Sequence, residues 1–151
     1  MSEVTMELIQ SKQTEINKLI EKLTLQIAGR KLEIEGTTII LAPGEHYAGS
    51  VLDADGDHMH HLVLMAGRPT DDLNWQAAMD WAKRVGGDLP TRQEQALLYA
   101  SCKPHLKPEW HWSSETHEEN ASCAWYCGFS HGNQDVNHKS YEGAAVAVRR
   151  V

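Results

Sequence analysis

Apolar residues change their period at Gly29, and the change divides the chain into a helical stretch and a strand-built remainder. From Met6 to Ala28, Ile9, Ile16 and Leu23 recur every seven residues, while Ile16, Ile20, Leu23 and Ile27 follow the 4, 3, 4 spacing of one helical face. Gly29 supplies a C-terminal stop. The spacing predicts an N-terminal amphipathic helix over residues 1–28, with Ile9, Ile16, Leu19, Ile20, Leu23 and Ile27 as oligomerisation residues. With Ile9, Ile16 and Leu23 taken as a positions, the d positions include Lys12 and Gln26, which makes an isolated coiled coil weak. Packing against other copies of the chain is expected, with packing on its own domain or a frayed tail as the alternatives.

Beyond Gly29 the period is that of strands. Leu32 and Ile34 alternate with Lys31, Glu33 and Glu35, and Thr37–Leu41 is rich in β-branched residues, which predicts a hairpin through Glu35-Gly36. Tyr47–Leu52 and Leu62–Met65 read as two more strands, joined by Asp53-Ala54-Asp55-Gly56-Asp57. Trp75, Ala78, Met79 and Ala82 share a helix face that ends at Gly86-Gly87. Thr91-Arg92-Gln93-Glu94 is a capping box, in which hydroxyl and carboxylate satisfy orphan backbone donors, and Pro104 stops the helix it launches. Strands are expected at 110–114, 121–129 and 144–151, separated by polar loops.

Charge narrows the partners. Fourteen Lys and Arg against 21 Asp and Glu give a net charge of −7 without basic clusters, which argues against a nucleic-acid partner. No apolar run approaches the ~18 residues that cross a bilayer, so no membrane partner is expected. The opening Met1-Ser2-Glu3 lacks the basic and apolar regions of a secretory signal, and three cysteines suit a reducing compartment better than a disulfide scaffold.

Metal and nucleophile patterns are poor. Asp53, Asp55 and Asp57 imitate the start of a calcium loop, but Leu64 stands where the twelfth position needs a bidentate Glu. His58, His60 and His61 read as solvated strand-end residues. Cys123 and Cys127, four apart on one strand, would lie roughly 13 Å apart and read as buried small hydrophobes. No metal or cofactor is expected.

The segment 110–138 differs in composition from the rest. Trp110, His111, Trp125 and Tyr126 mingle with His117, Glu118, Asn120, His131, Asn133, Gln134, Asp135, Asn137 and His138. Aromatic faces beside amides and imidazoles suit a recognition surface, because they combine contact area with hydrogen bonding at low entropy cost. Trp112 and Phe129 are expected in the core.

Several motifs in order carry a resemblance: Trp75-x-x-Ala78, Gly86-Gly87-Asp88-Leu89-Pro90-Thr91-Arg92-x-Glu94, Trp112-Ser113-Ser114-Glu115, Ala124-Trp125-x-x-x-Phe129-x-x-Gly132 and Val146-x-Val148-Arg149-Arg150-Val151. Over residues 73–151 the chain resembles the domain-of-unknown-function family of Lcl C-terminal type. The resemblance implies an α+β, C-type lectin-like domain over residues 30–151: a twisted antiparallel sheet, two flanking helices, adjacent first and last strands, and ligand-binding loops on one side. Positions Leu89–Arg92 and Trp112–Ser114 would then be architectural. The lectin-type calcium ligands are absent, and Asp88 stands where many members carry Arg.

The resemblance also implies a setting. Short members look like phage or prophage accessory proteins. The expected function is a non-enzymatic binding protein in the host cytoplasm, homo-oligomeric, which grips a host protein, another host macromolecule or a small-molecule ligand, as an anti-defence inhibitor or ligand sponge. A virion-associated receptor-binding accessory is the alternative. A copper oxidase related to formylglycine-generating enzymes, through Cys123 and Cys127, is the less favoured second alternative.

Overall fold

The computed structural model describes residues 4–34 and 36–151. They divide into two compact units, one up to Pro43 and one over Gly44–Val151. The expected boundary is at Gly29, so the first hairpin falls with the helix instead of with the second domain.

In the first unit, α1 spans Met6–Ala28. Thr5 caps it by accepting the Leu8 N–H on its hydroxyl at 3.2 Å, which satisfies one of the orphan donors of the first turn. Gly29 ends it at φ +82°. A Cβ there would sit 1.6 Å from the Leu41 carbonyl oxygen, so the junction between helix and hairpin admits only glycine. β1 (Arg30–Ile34) and β2 (Thr37–Leu41) pair antiparallel with Leu32 opposite Ile39, as the alternation predicts. Of the expected turn Glu35-Gly36, Glu35 lies outside the described residues, and Gly36 has φ +77°.

The second unit holds two three-stranded antiparallel sheets and two helices. β3 (His46–Leu52) pairs with β4 (His58–Leu64), and β4 pairs with β8 (Val148–Arg150). The second sheet runs β5 (Trp110–Thr116), β6 (Cys123–Gly128), β7 (Gln134–His138). α2 (Trp75–Arg84) starts at Asn74, whose amide oxygen accepts the Ala77 N–H at 2.9 Å. α3 (Arg92–Cys102) carries the full capping box of Thr91 and Glu94 and gives way to a 3-10 turn containing Pro104. The class is therefore α+β with antiparallel sheets, as expected. No helix among the described residues is long and apolar enough to cross a membrane.

Two apolar clusters hold the unit together. Leu98 and Cys102 of α3 pack with Ala48, Val51, Leu62, Leu64, Cys127 and Phe129, and Ala78, Trp81 and Ala82 of α2 pack with Leu89, Trp112 and Ala124. The segment 144–148 stitches the clusters. Val146 and Val148 enter the first, Ala145 and Ala147 the second, because an extended chain sends alternate side chains to opposite faces. Close approach to this segment demands small residues: a Cβ on Gly143 would meet the Trp110 ring at 2.4 Å.

Five expectations are corrected. β4 begins at His58, not Leu62, and its histidines are not all solvated. His61 is buried and its Nδ1 lies 2.9 Å from the Tyr47 hydroxyl, while His60 lies 2.8 Å from Glu94. The expected strand 144–151 keeps regular pairing only at Val148–Arg150, since 144–147 passes between the sheets. β7 forms in a segment expected to be loop. Finally, β8 lies beside β4 and not beside β3, so the unit's first and last strands are separated by one strand.

Candidate functional site

Pairing across the second sheet sorts its side chains. Cys127 faces Gln134, Trp125 faces Val136 and Cys123 faces His138, so these six share one face, whereas Tyr126, Asp135, Ala124 and Asn137 share the other. α3 covers the first face only in part. At its N-terminus the Arg92 guanidinium carbon lies 3.5 Å from the centroid of the Trp125 ring. That distance is a cation–π stack.

Arg92 is held from several sides. Its Nε donates to Gln134 Oε1 at 3.0 Å, Gln134 Nε2 donates back to the Arg92 carbonyl at 2.7 Å, and the Arg92 backbone N–H donates to Glu115 Oε2 at 2.6 Å. The side chain is thus fixed in orientation through one nitrogen. Its two Nη groups make no hydrogen bond to the described residues, and the residue is half-buried.

Trp125 donates from Nε1 to the Glu118 carboxylate at 3.3 Å, and His117 meets its ring edge-on at 5.5 Å. Glu118's own backbone N–H, then the Trp125 indole and the charges of His117 and Arg92, outweigh slight desolvation and hold its exposed carboxyl below the usual carboxylate range. His117 Nδ1 is buried without a partner among the described residues. Spacing alone gives Glu115 and Arg92 no recognition role, since Arg92 reads locally as the first residue of a capped helix. Only the fold brings it to Gln134, 42 positions away.

The other expected surface residues scatter. His117, Glu118, Trp125 and Gln134 form the cluster just described. Asn120, His131, Asn133, Asp135 and His138 are exposed, and Asn137 is half-buried on the opposite face. Asn120 and Asn137 spend their amide oxygens on local backbone, Asn120 on Ser122 N–H and Asn137 on His138 N–H.

Three residues leave the surface role. His111 is 2% exposed, packs on Phe129 and holds the Glu109 carbonyl through Nδ1, so it is a core residue. Trp110 and Tyr126 lie 5.0 Å apart and pack at the margin of the α2 cluster, Trp110 against Trp112 as well. Trp112 and Phe129 are fully buried, as expected.

Cys127 is fully buried among apolar side chains, and burial lifts its thiol to about 11. Cys123 is half-buried on the same sheet face. Among the described residues no three His, Cys, Asp or Glu side chains converge as a metal-binding group. No family model matches the chain, and no curated protein matches it.

Proposed function

We propose that the protein is a non-enzymatic binding module that takes an acidic group, carboxylate or phosphate, on the stacked pair Arg92–Trp125. The observation that carries this reading is the guanidinium held by Gln134 over an indole ring, 3.5 Å from its centroid, while its two Nη groups make no hydrogen bond to the described residues. A planar fork with one tethered edge suits a bidentate oxyanion, and its side-chain entropy is already spent. The flanking Glu115 and Glu118 disfavour an extended polyanion and favour a ligand with a single acidic group beside a hydrogen-bond donor. In the phage or prophage setting that the sequence resemblance implies, the ligand is a host macromolecule or small molecule, and the lectin-like arrangement of loops belongs to the same reading.

Acetate and inorganic phosphate are the probes. The Arg92 guanidinium and Trp125 indole resonances are followed by NMR in the wild-type chain and in Arg92→Gln. Shifts confined to these two groups at millimolar anion, absent from the variant, support the reading. Unmoved Arg92 and Trp125 resonances in the wild type would overturn it.

A further inference from the structure

The described side chains of α1 are exposed along its whole length: Met6 68%, Ile9 53%, Ile16 49%, Leu19 65%, Ile20 56%, Leu23 55% and Ile27 71%. Most helical stability in proteins comes from packing an amphipathic apolar face and not from propensity. Something must cover this one.

Along the continuous helix from Met6 to Ala28, one heptad register gathers the apolar residues into a seam. Placing Met6, Gln13, Ile20 and Ile27 at a puts Ile9, Ile16 and Leu23 at d, so six of seven seam positions are apolar. The alternative with Ile9 at a leaves Lys12 and Gln26 in the seam. The favoured register explains Leu19 as well, since it falls at g beside the seam and widens the apolar stripe.

We infer that three copies of this chain associate in parallel through α1. Self-association is favoured over a foreign helix by the flanks: e and g carry Gln10, Asn17, Thr24, Lys12, Leu19 and Gln26, with a single charge among them. A charged partner helix would find nothing there to pair with, while identical copies meet no like-charge contact, because Lys12 of one faces Asn17 of the next. Glu7, Glu15, Lys18, Glu21 and Lys22 all fall on the outer positions b, c and f.

The number three follows from Leu19. Ile at a with Leu at d favours two strands, and Ile20 with Leu23 is such a pair. The apolar g position, Leu19, becomes covered only when more than two helices meet, and three is the smallest number that covers it. Parallel orientation follows from Gln13, the one polar seam residue. In a parallel trimer three Gln13 amides meet in one layer and bond one another, whereas an inverted helix sets a against d and would put the amide against an apolar residue, since all three d positions are Ile or Leu.

The test is the solution mass of the full chain by light scattering and sedimentation. Three times the 16.9 kDa chain mass is expected; a monomer, dimer or tetramer overturns the inference. Ile16→Asp with Leu23→Asp should give a monomer whose near-UV circular dichroism is unchanged, because those residues lie outside the second unit. A variant that keeps the wild-type mass overturns the α1 contact. Gln13→Glu probes the layer: three carboxylates brought together should separate the copies at pH 8 and allow them to associate at pH 4.5. A mass that does not respond to pH overturns the parallel register. None of the three arms depends on Arg92.

Discussion

Arg150, in the last strand, grips Glu94, in the first turn of α3, with both ends of its fork: Nη2 lies 2.6 Å from Oε1 and Nε 2.8 Å from Oε2. Glu94 is 1% exposed, and it also takes the Thr91 backbone N–H and lies 2.8 Å from His60. One carboxylate therefore caps a helix, anchors β8 and meets β4. Burial alone would raise its pKa, but Arg150, the Thr91 N–H and His60 together hold it below the ordinary 4.5. Arg150→Ala strips the main counter-charge from a buried carboxylate. We expect a loss of about 3 kcal/mol in urea unfolding at pH 7, the lower end for a broken buried pair because two partners remain. A depressed carboxylate contributes its stability above the unfolded pKa and loses it as pH falls through the folded one. The gap between wild type and variant should accordingly narrow below about pH 4.5. A gap that stays constant to pH 3 would show that Arg150 acts through packing alone.

His111 sets a separate acid limb. Burial is the main cause of a pKa lowered to about 4; Arg68 and Lys107 add to the effect, and the Glu109 carbonyl and Asp72 oppose it. The folded value lies below the ordinary 6.5, so the unfolded chain takes up this proton first. Stability from His111 is complete above pH 6.5 and drains away between there and pH 4, by about 3 kcal/mol. His111→Gln should flatten that slope in urea midpoints measured from pH 7 to 4. His61, lowered by its burial and by His58 and His60, leaves a residual slope of the same sign. An unaltered slope in the variant would place the acid sensitivity elsewhere.

What the sequence made legible was local. The capping box at Thr91 and Glu94, the stripe Trp75–Ala82 and the alternation at Leu32 and Ile34 each state their structure within one turn or hairpin, and all three form as expected. β7 was illegible because Gln134–His138 holds a single apolar residue, Val136; as the outer strand of its sheet it owes its form to backbone pairing with β6. The contraction of the last strand has the opposite cause. Ala144–Ala147 is apolar on both sides because it is buried on both sides, between two sheets, and burial does not require a ladder. The candidate site was half visible: Trp125, His117, Glu118 and Gln134 stand out by composition, but Arg92 joins them across the fold, and His111 looks from sequence like any surface imidazole.

Gly143 should be intolerant for a reason unrelated to backbone freedom. Its N–H and carbonyl both bond Leu73 at 2.9 Å, and the Trp110 ring occupies the place of a Cβ. Gly143→Ala must push that ring out of its contacts with Trp112 and Tyr126. Overpacking of this kind costs about 1–3 kcal/mol, read as a lower melting temperature with a changed tryptophan emission. Lowered melting with unchanged emission would mean that the backbone, not the ring, yields.

Trp112 and Trp125 carry opposite expectations although they lie on neighbouring strands. Trp112 is fully buried, packed in the α2 cluster and bonded through Nε1 to the Leu73 carbonyl at 2.9 Å. Trp112→Ala should cost about 3–5 kcal/mol, because the cavity opens amid groups that cannot close over it. Trp125 is half-buried with Arg92 over its ring, and such a stack is worth about 0.5–1 kcal/mol at an exposed site. Trp125→Ala should therefore lower stability by only about 1 kcal/mol while abolishing the anion response of Arg92, since the guanidinium loses the ring it stacks on. Tyr126→Ala groups with Trp112, because its ring packs on Trp110, and Asn133→Ala, at an exposed turn, should move stability by less than about 0.5 kcal/mol. Urea unfolding of the four variants separates them. Equal destabilisation by Trp112→Ala and Trp125→Ala would make Trp125 a core residue and Arg92 its cover, and the proposed binding surface would go with it.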